Sequence, residues 1–339
     1  MDRNQLAFAE PGAIKLLMSA ACEPTWYAHS DWFELLRSCG WVGDQPRPLE
    51  VKHPEAMRLP LVGGPKPGQW QGLSNYYTPL LMPVGGTALA DPVGLARAWR
   101  RAGASILDLR PLDAESSWVA ELRAALRAGG YWVADTPAFG NWVLDVKGQT
   151  AEQYLAARPG PLRTSLHRGR ARLKRAGELS LEIVSAPGEA LERALQDYEA
   201  VYAASWKLAE GSAAFIRGLV RWMAGRDELR LGVLRLNGEP LAAQIWFVST
   251  GVASIFKLAH VDGKEALSPG TVLTAELMSR VIDVDGVHTV DFISGDDSYK
   301  RDWMSVRRQR MALLAFDPLT ARSLAGAFRH ALRARLNRP

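Results

Sequence analysis

Between Leu229 and Trp303 the hydrophobic period changes repeatedly, and the order of those changes leaves few folds open. Leu229 to Leu236 has the period of a strand, Asn237-Gly238 supplies a tight two-residue turn, and Leu241 to Val248 returns as its partner. Thr250-Gly251 then turns the chain into a further strand, Val252 to Ala259, so an antiparallel meander is expected. After a loop from His260 to Ser268, the residues Val272, Leu273, Ala275, Glu276, Leu277, Val281 and Ile282 predict a helix starting near Pro269, whose fixed φ suits a first turn. His288 to Ile293 reads as a mostly buried strand and Tyr299 to Met304 as a short helix. Arg310 to Phe316 reads as a closing strand, ended by Asp317-Pro318. Strands and helices in this succession predict a mixed α/β sheet.

Upstream, Leu191, Ala194, Leu195, Tyr198, Val201 and Tyr202 form one apolar stripe, predicting a helix from Glu189 to Ser205, with another over Ala213 to Ala224. The first half echoes the order more weakly. Asp91 to Arg101 is the counterpart helix, Ser105 to Leu109 the next strand, and Ser117 to Ala128 the next helix. Tyr131 to Ala134 and Asn141 to Val146 are the closing strands. Gly63 to Gly68 is a loop too irregular for a nucleotide-binding glycine motif. With Arg158-Pro159-Gly160-Pro161 as the boundary, the expected organisation is residues 1–158, residues 162–316 and a basic amphipathic helix over 319–339. A chain of 339 residues exceeds what one core usually supports, which agrees with two packed domains.

Charge is unevenly spread around a net +5. Arg163, Arg168, Arg170, Arg172, Lys174 and Arg175 follow one another without an acid, and Arg301 to Pro339 holds nine Arg against Asp302 and Asp317. Such stretches either cover a solvated helix face or attract phosphates of a cofactor, a nucleic acid or a membrane. No aromatic residue interleaves with the first, which argues against a base-stacking surface. Leu324, Phe328, Leu332 and Leu336 recur at intervals of four among arginines; that helix either packs on its own domain or lies on an anionic bilayer. Cys22 and Cys39 lack metal-ligand spacing and support neither a zinc site nor a disulfide framework. No apolar window reaches the length of a membrane span, and Asp2, Arg3 and Asn4 precede no apolar signal core, so a cytoplasmic location is expected.

Three segments carry the chemistry: Ser205-Trp206-Lys207, Leu267 to Leu273 with Ser268-Pro269-Gly270-Thr271 at its centre, and Asp291-Phe292-Ile293-Ser294-Gly295-Asp296-Asp297-Ser298-Tyr299-Lys300 followed by Trp303. Together they resemble the acetyltransferase domain of the GNAT superfamily found in cellulose-biosynthesis-type and Fem-like proteins. There, Ser-Pro-Gly-x-x-Leu precedes Asp-Phe-x-x-Gly-x-x-x-Tyr-Lys. The resemblance covers about residues 160–316 and reaches the first half only through the family's habit of pairing two such domains. It implies two GNAT-like mixed-sheet domains packed together, the first divergent. It also implies acyl transfer to an amine of a small metabolite, sugar or amino-acid derivative, with acyl-CoA as co-substrate and no permanently bound cofactor. The superfamily's Gln/Arg-x-x-Gly-x-Gly/Ala loop is missing, which leaves the acyl carrier open: acyl-CoA, a carrier-protein thioester or aminoacyl-tRNA. The coiled-coil insertion frequent in Fem-like aminoacyltransferases is also not apparent.

A helix start offers unpaired amides and a positive dipole end, so a diphosphate can sit at Gly270, Thr271 and Val272; alternatively Ser268 simply caps the helix. The resemblance makes Val252 to Ala259 the strand that holds the pantetheine arm, with Lys257 or His260 near the diphosphate or substrate. An attacking amine must lose a proton, for which Asp296 or His260 is a candidate base, and Tyr299 is a candidate acid for the leaving group. Asp296-Asp297-Ser298 reads equally as a helix cap. Asp291 needs a partner if buried, and Lys300 pairs with a carboxylate or phosphate. Trp206 and Lys207 are candidate walls of the acceptor site, with Tyr76 and Tyr77 of the first half as further contributors. A non-catalytic scaffold at a membrane surface is the remaining alternative.

Overall fold

The structure, a computed structural model, describes residues 25–43, 45–86 and 88–336, with side chains as far as Leu332. Cys22, the first residues of the chain and the last three therefore lie outside the described residues. The chain divides into two compact units, one of residues up to Phe139 together with Gln309 onward, the other Gly140–Arg308. The boundary is not at Arg158–Pro161: Pro159 instead opens a long helix that packs within the second unit. The division falls within two strands, β4 and β10, so the last strand returns to the first unit from far along the chain.

In chain order the strands are β1 (Leu61–Gly63), β2 (Gln69–Gly72), β3 (Ile106–Asp113), β4 (Trp132–Asp145), β5 (Leu179–Val184), β6 (Leu229–Leu236), β7 (Glu239–Ser249), β8 (Val252–His260), β9 (Thr289–Asp291) and β10 (Val306–Phe316). The α-helices are α1 (Ser30–Cys39), α2 (Pro92–Arg101), α3 (Ser117–Ala128), α4 (Ala151–Ala156), α5 (Gly160–Ala176), α6 (Glu189–Ala203), α7 (Ala213–Gly225), α8 (Pro269–Ser279), α9 (Lys300–Trp303) and α10 (Ala321–Leu336).

In the first unit β1 pairs antiparallel with β2, β2 pairs parallel with β3, and β10 runs antiparallel to β3. α2 is the crossover between the parallel strands, the connection a parallel pair requires. The buried faces of α2 and α3, including Leu95, Trp99, Leu122 and Leu126, close over Leu107, Leu109 and Leu313 of the sheet. The C-terminal α10 meets this unit through small residues: Ser323 is buried, and a Cβ on Gly326 would come within 3.2 Å of Ile106 and 3.3 Å of Phe316. Its large apolar side chains face away, with Leu324 41%, Phe328 71% and Leu332 48% exposed.

In the second unit the strand order is β4-β9-β8-β7-β6-β5, antiparallel from β5 to β8 and parallel between β8 and β9. The expected meander is present, with Asn237 and Gly238 at φ 53° and 83° as its hairpin requires. α8 crosses from β8 to β9, and its Leu273 and Leu277 pack with Leu234, Trp246 and Val290 in the core. Two expectations need correction. β9 is three residues long rather than running to Ile293, because Ile293 takes φ 60° and turns the chain. The two strands expected around Pro137 are one continuous β4.

Candidate active site

β8 is bonded to β7 along its whole length, but to β9 only through Val252, Ala253 and Ser254. Ile245 faces Lys257 while Trp246 faces Ile255, so Phe256 is an extra residue that bends the strand. Beyond the bulge, Lys257 to His260 have no partner strand on the β9 side. The cause lies in Asp291. Its Oδ1 accepts the Ile293 amide at 2.6 Å and Asn141 Nδ2 at 2.6 Å, and the same Asn141 nitrogen donates to the Ile293 carbonyl at 2.9 Å. The Phe292 amide meanwhile bonds the Trp142 carbonyl of β4 at 2.9 Å. β9 is thus drawn towards β4, and the end of β8 stays open. Asp291, expected to touch substrate, instead holds this turn.

α8 begins beside the open edge. Ser268 is left-handed at φ 53° and its hydroxyl makes no capping bond to the helix. Pro269 has no N–H, and the Val272 amide reaches the Ser268 carbonyl at 3.1 Å. The amides of Gly270 and Thr271 are left without a partner among the described residues, at the positive end of the helix. A Cβ on Gly270 would lie 3.9 Å from the His260 ring, so β8's end and α8's start share one space. α5 packs across this corner at Gly169, where a Cβ would approach Ser268 to 3.1 Å and the Leu267 carbonyl to 3.2 Å. Arg172 of α5 donates to the Ala266 carbonyl at 2.6 Å and Arg170 pairs with Glu276 at 2.6 Å.

The segment after α6 completes the corner. The Asp262 amide bonds the Ala204 carbonyl at 2.9 Å, which brings Trp206 to His260, ring centres 4.4 Å apart and edge to face. Burial, reinforced by the Lys207 ammonium, lowers the His260 pKa below its ordinary value against the pull of nearby acids, so the imidazole is neutral at pH 7. Its Nδ1 is buried with no hydrogen-bond partner. Lys257, expected near a phosphate, is buried in an ion pair with Glu210 at 3.0 Å. Lys300 is likewise buried, donating to the Ser294 carbonyl and pairing with Asp297 at 3.1 Å. Both lysines fasten the loops around the corner.

The two remaining candidates separate by environment. Asp296 receives Arg307 at 2.9 and 2.6 Å and Trp142 Nε1 at 2.9 Å. Those bonds, Arg307 foremost, hold its pKa below the usual carboxylate range, which makes it a weak proton acceptor. Tyr299 packs edge-on against Phe292 at 5.8 Å, and desolvation of its hydroxyl, with Asp297 nearby, raises its pKa and keeps it protonated. Tyr76 and Tyr77 belong to the first unit, the former 83% exposed and the latter buried. Asn141 and the Gly169 contact had no signal in local sequence, since both act through partners distant along the chain. Among the described residues no group of three or more His, Cys, Asp or Glu is placed to hold a metal ion.

Residues 161–301, within the second unit, match a family model described as an acetyltransferase (GNAT) domain. No curated protein matches the chain. Among solved structures, L-PGS from Bacillus licheniformis superposes with a TM-score of 0.50 at 14% identity, covering 95% of this chain and 99% of that one. FemX gives 0.52 at 10% identity, covering 84% and 94%. A conserved protein of unknown function from Bacteroides thetaiotaomicron VPI-5482 gives 0.52 at 13%, covering 77% and 83%. At these identities the likeness to the solved structures is one of fold, FemX included, and the GNAT-domain match stands for residues 161–301.

Proposed function

We propose that the protein is a transferase that moves an aminoacyl group from charged tRNA onto an amine, in the manner of a Fem-like enzyme. The observation that carries this is α5. Its Arg163, Arg168, Lys174 and Arg175 make no ion pair among the described residues, and the helix packs directly on the uncapped start of α8. A polyanionic donor can follow α5 with its phosphates and lay its terminal ester along the free edge of β8. Likeness of fold to FemX supports the Fem-like side of the resemblance. The cellulose-biosynthesis-type branch is not required, and the first unit is taken as a divergent second copy of the same domain.

In this mechanism the amides of Gly270 and Thr271 bind a donor phosphate, and the unpaired amides of β8 stabilise the oxyanion that forms as the amine attacks the carbonyl. His260 takes the amine's proton, and Tyr299 donates to the leaving oxygen. The products are an amide and a deacylated donor. Acyl-CoA is the second reading, favoured by the pair of free amides beside an open strand edge, which suits a diphosphate followed by an extended arm; the leaving atom is then sulfur. Assays in parallel with charged tRNA and with acyl-CoAs of graded length distinguish them. Transfer from tRNA that weakens steeply with salt is expected. Transfer from acyl-CoA alone moves the assignment to the second reading, and transfer from neither removes both.

One feature of the first unit favours a peripheral membrane location for this activity. α10 points Leu324, Phe328 and Leu332 outward beside Arg329, a pattern suited to an anionic bilayer surface. No helix among the described residues is long and apolar enough to cross a membrane. Sedimentation with phosphatidylglycerol vesicles, lost on Phe328→Glu and absent with phosphatidylcholine alone, is the expected result. Equal behaviour of the two vesicle types would remove the membrane location and leave the transfer chemistry standing.

A further inference from the structure

At the open end of β8 the charges do not balance. The ammonium groups of Lys207, Lys257 and Lys300 lie close enough to repel, and the carboxylates of Glu210 and Asp297 belong to the same cluster. Lys257 is matched by Glu210 and Lys300 by Asp297. Lys207 has no such close partner: among the described residues its ammonium has no ion pair and no hydrogen-bond acceptor, only the longer-range pull of Glu210 and Asp297. It stands instead 5.9 Å from the ring centre of Tyr202 and 5.7 Å from that of Trp206. Holding an ammonium partly out of water without a counter-charge is unfavourable, and no cap, strand or loop of the fold uses it. Immediately beyond the Trp206 ring lies His260, with its unpartnered Nδ1. A surplus positive charge and a neutral imidazole therefore share one indole as a neighbour.

We infer that Lys207 is the subsite for an anionic group of the acceptor, a carboxylate, so that the acceptor class is an amino acid or peptide whose amine is delivered to His260. The role of the bound amine rests on the transfer reading; the anion binding does not. One monovalent carboxylate neutralises the surplus, whereas a phosphate dianion overshoots it and meets Glu210 and Asp297 as like charges. The edge of Trp206 gives the aliphatic part of such a ligand an apolar surface. The groups facing the subsite are Tyr202 of α6, Glu210, Lys257 and His260 of β8, Asp297 and Lys300, with Asp262 and Glu265 acting on His260 from the following loop. Burial and the like charges of Lys257 and Lys300 bring Lys207 down to about 8 against the pull of Asp297 and Glu210, and burial lowers Lys257 as well, against Glu210.

The test is ligand-observed NMR on the full chain with glycylglycine, glycylglycinamide and phosphoethanolamine, using wild type, Lys207→Met and Lys207→Arg. Saturable binding of glycylglycine at least about tenfold tighter than its amide is expected in wild type. Lys207→Met should abolish that preference and Lys207→Arg should keep it within a few-fold. Raising the pH from 7 to 9 should weaken glycylglycine by roughly tenfold, because the ammonium is present below about 8 and lost above it. Equal affinity for acid and amide, or a preference that survives in Lys207→Met, overturns the subsite. Tightest binding of phosphoethanolamine overturns the carboxylate assignment. If Lys207→Met fails to fold, the wild-type and Lys207→Arg comparisons decide alone. The expected binding pattern in a protein that transfers nothing from any donor would sink the transfer reading and leave the subsite intact.

Discussion

α2 in the first unit and α8 in the second each open with a proline at the first helical position, follow a polar residue, and cross between two strands paired in parallel over three residues. Their starts are finished in opposite ways. Asp91 reaches forward to the Gly94 amide at 2.8 Å, and that bond, with His53 beside it at 3.4 Å, holds the carboxylate pKa below its usual value. α2 therefore carries its own anion. Ser268 sits in the left-handed region with its hydroxyl turned back towards Glu265, and the equivalent amide at Thr271 is unmet. The same βαβ frame is closed by a side chain in one unit and left for a ligand in the other. What differs is one capping residue and the course of the strand after the helix.

The comparison breaks most severely at His260, the neutral imidazole beside the open helix start. His260→Ala is expected to lower kcat by about 10²–10⁴-fold with little change in fold. Because the wild-type imidazole pKa is lowered, wild-type turnover should fall only as pH drops below the ordinary histidine range, and the variant should lose that limb; a pH–rate profile checks both. Ser268→Asp turns the second start into a copy of the first. Aspartate tolerates the left-handed backbone, so the variant should hold or raise Tm while donor affinity falls by about 10²-fold. Gly270→Ala sharpens the point, since its Cβ fits against His260 at ordinary contact distance. It should stabilise the helix by about 0.5–1 kcal/mol and weaken donor binding by roughly tenfold, read by calorimetry and thermal melting. Smallest is Asp91→Ala, expected to lower Tm slightly through loss of the cap, with unchanged turnover. Loss of activity there would mean that the first unit's helix start serves catalysis too.

Much of this was legible in order but not in pairing. Pro269 marked the start of α8, and Asn237-Gly238 the hairpin, because both act through their own backbone angles. The apolar stripe of α6 from Leu191 to Val201 was equally local. The end of β9 was not readable. Phe292 and Ile293 look like strand, and the turn in which the Ile293 amide bonds Asp291 is held by Asn141, far upstream. Tyr131 to Ala134 and Asn141 to Val146 read as separate strands, yet β4 runs through both. The boundary at Arg158–Pro161 misled for a related reason: proline and glycine mark a helix start as readily as a linker. Among the site residues, Trp206 lies against both His260 and Lys207, while Tyr299 lies against Phe292. Lys257 and Asp296 were recognisable as charges, but the partner of each comes from a separate segment, whereas Lys300 pairs within its own loop.

The pair of hydrogen bonds that Asn141 donates, to Asp291 and to the Ile293 carbonyl, keeps the groove in existence. Neighbouring strands left to themselves zip together, since every amide gains a partner. Here a single buried carboxamide outcompetes that zipper by giving one strand's tail a better offer on its far side. The cleft is thus maintained by rivalry for hydrogen bonds instead of by bulk wedged between strands, and a leucine at position 141 would let it heal shut.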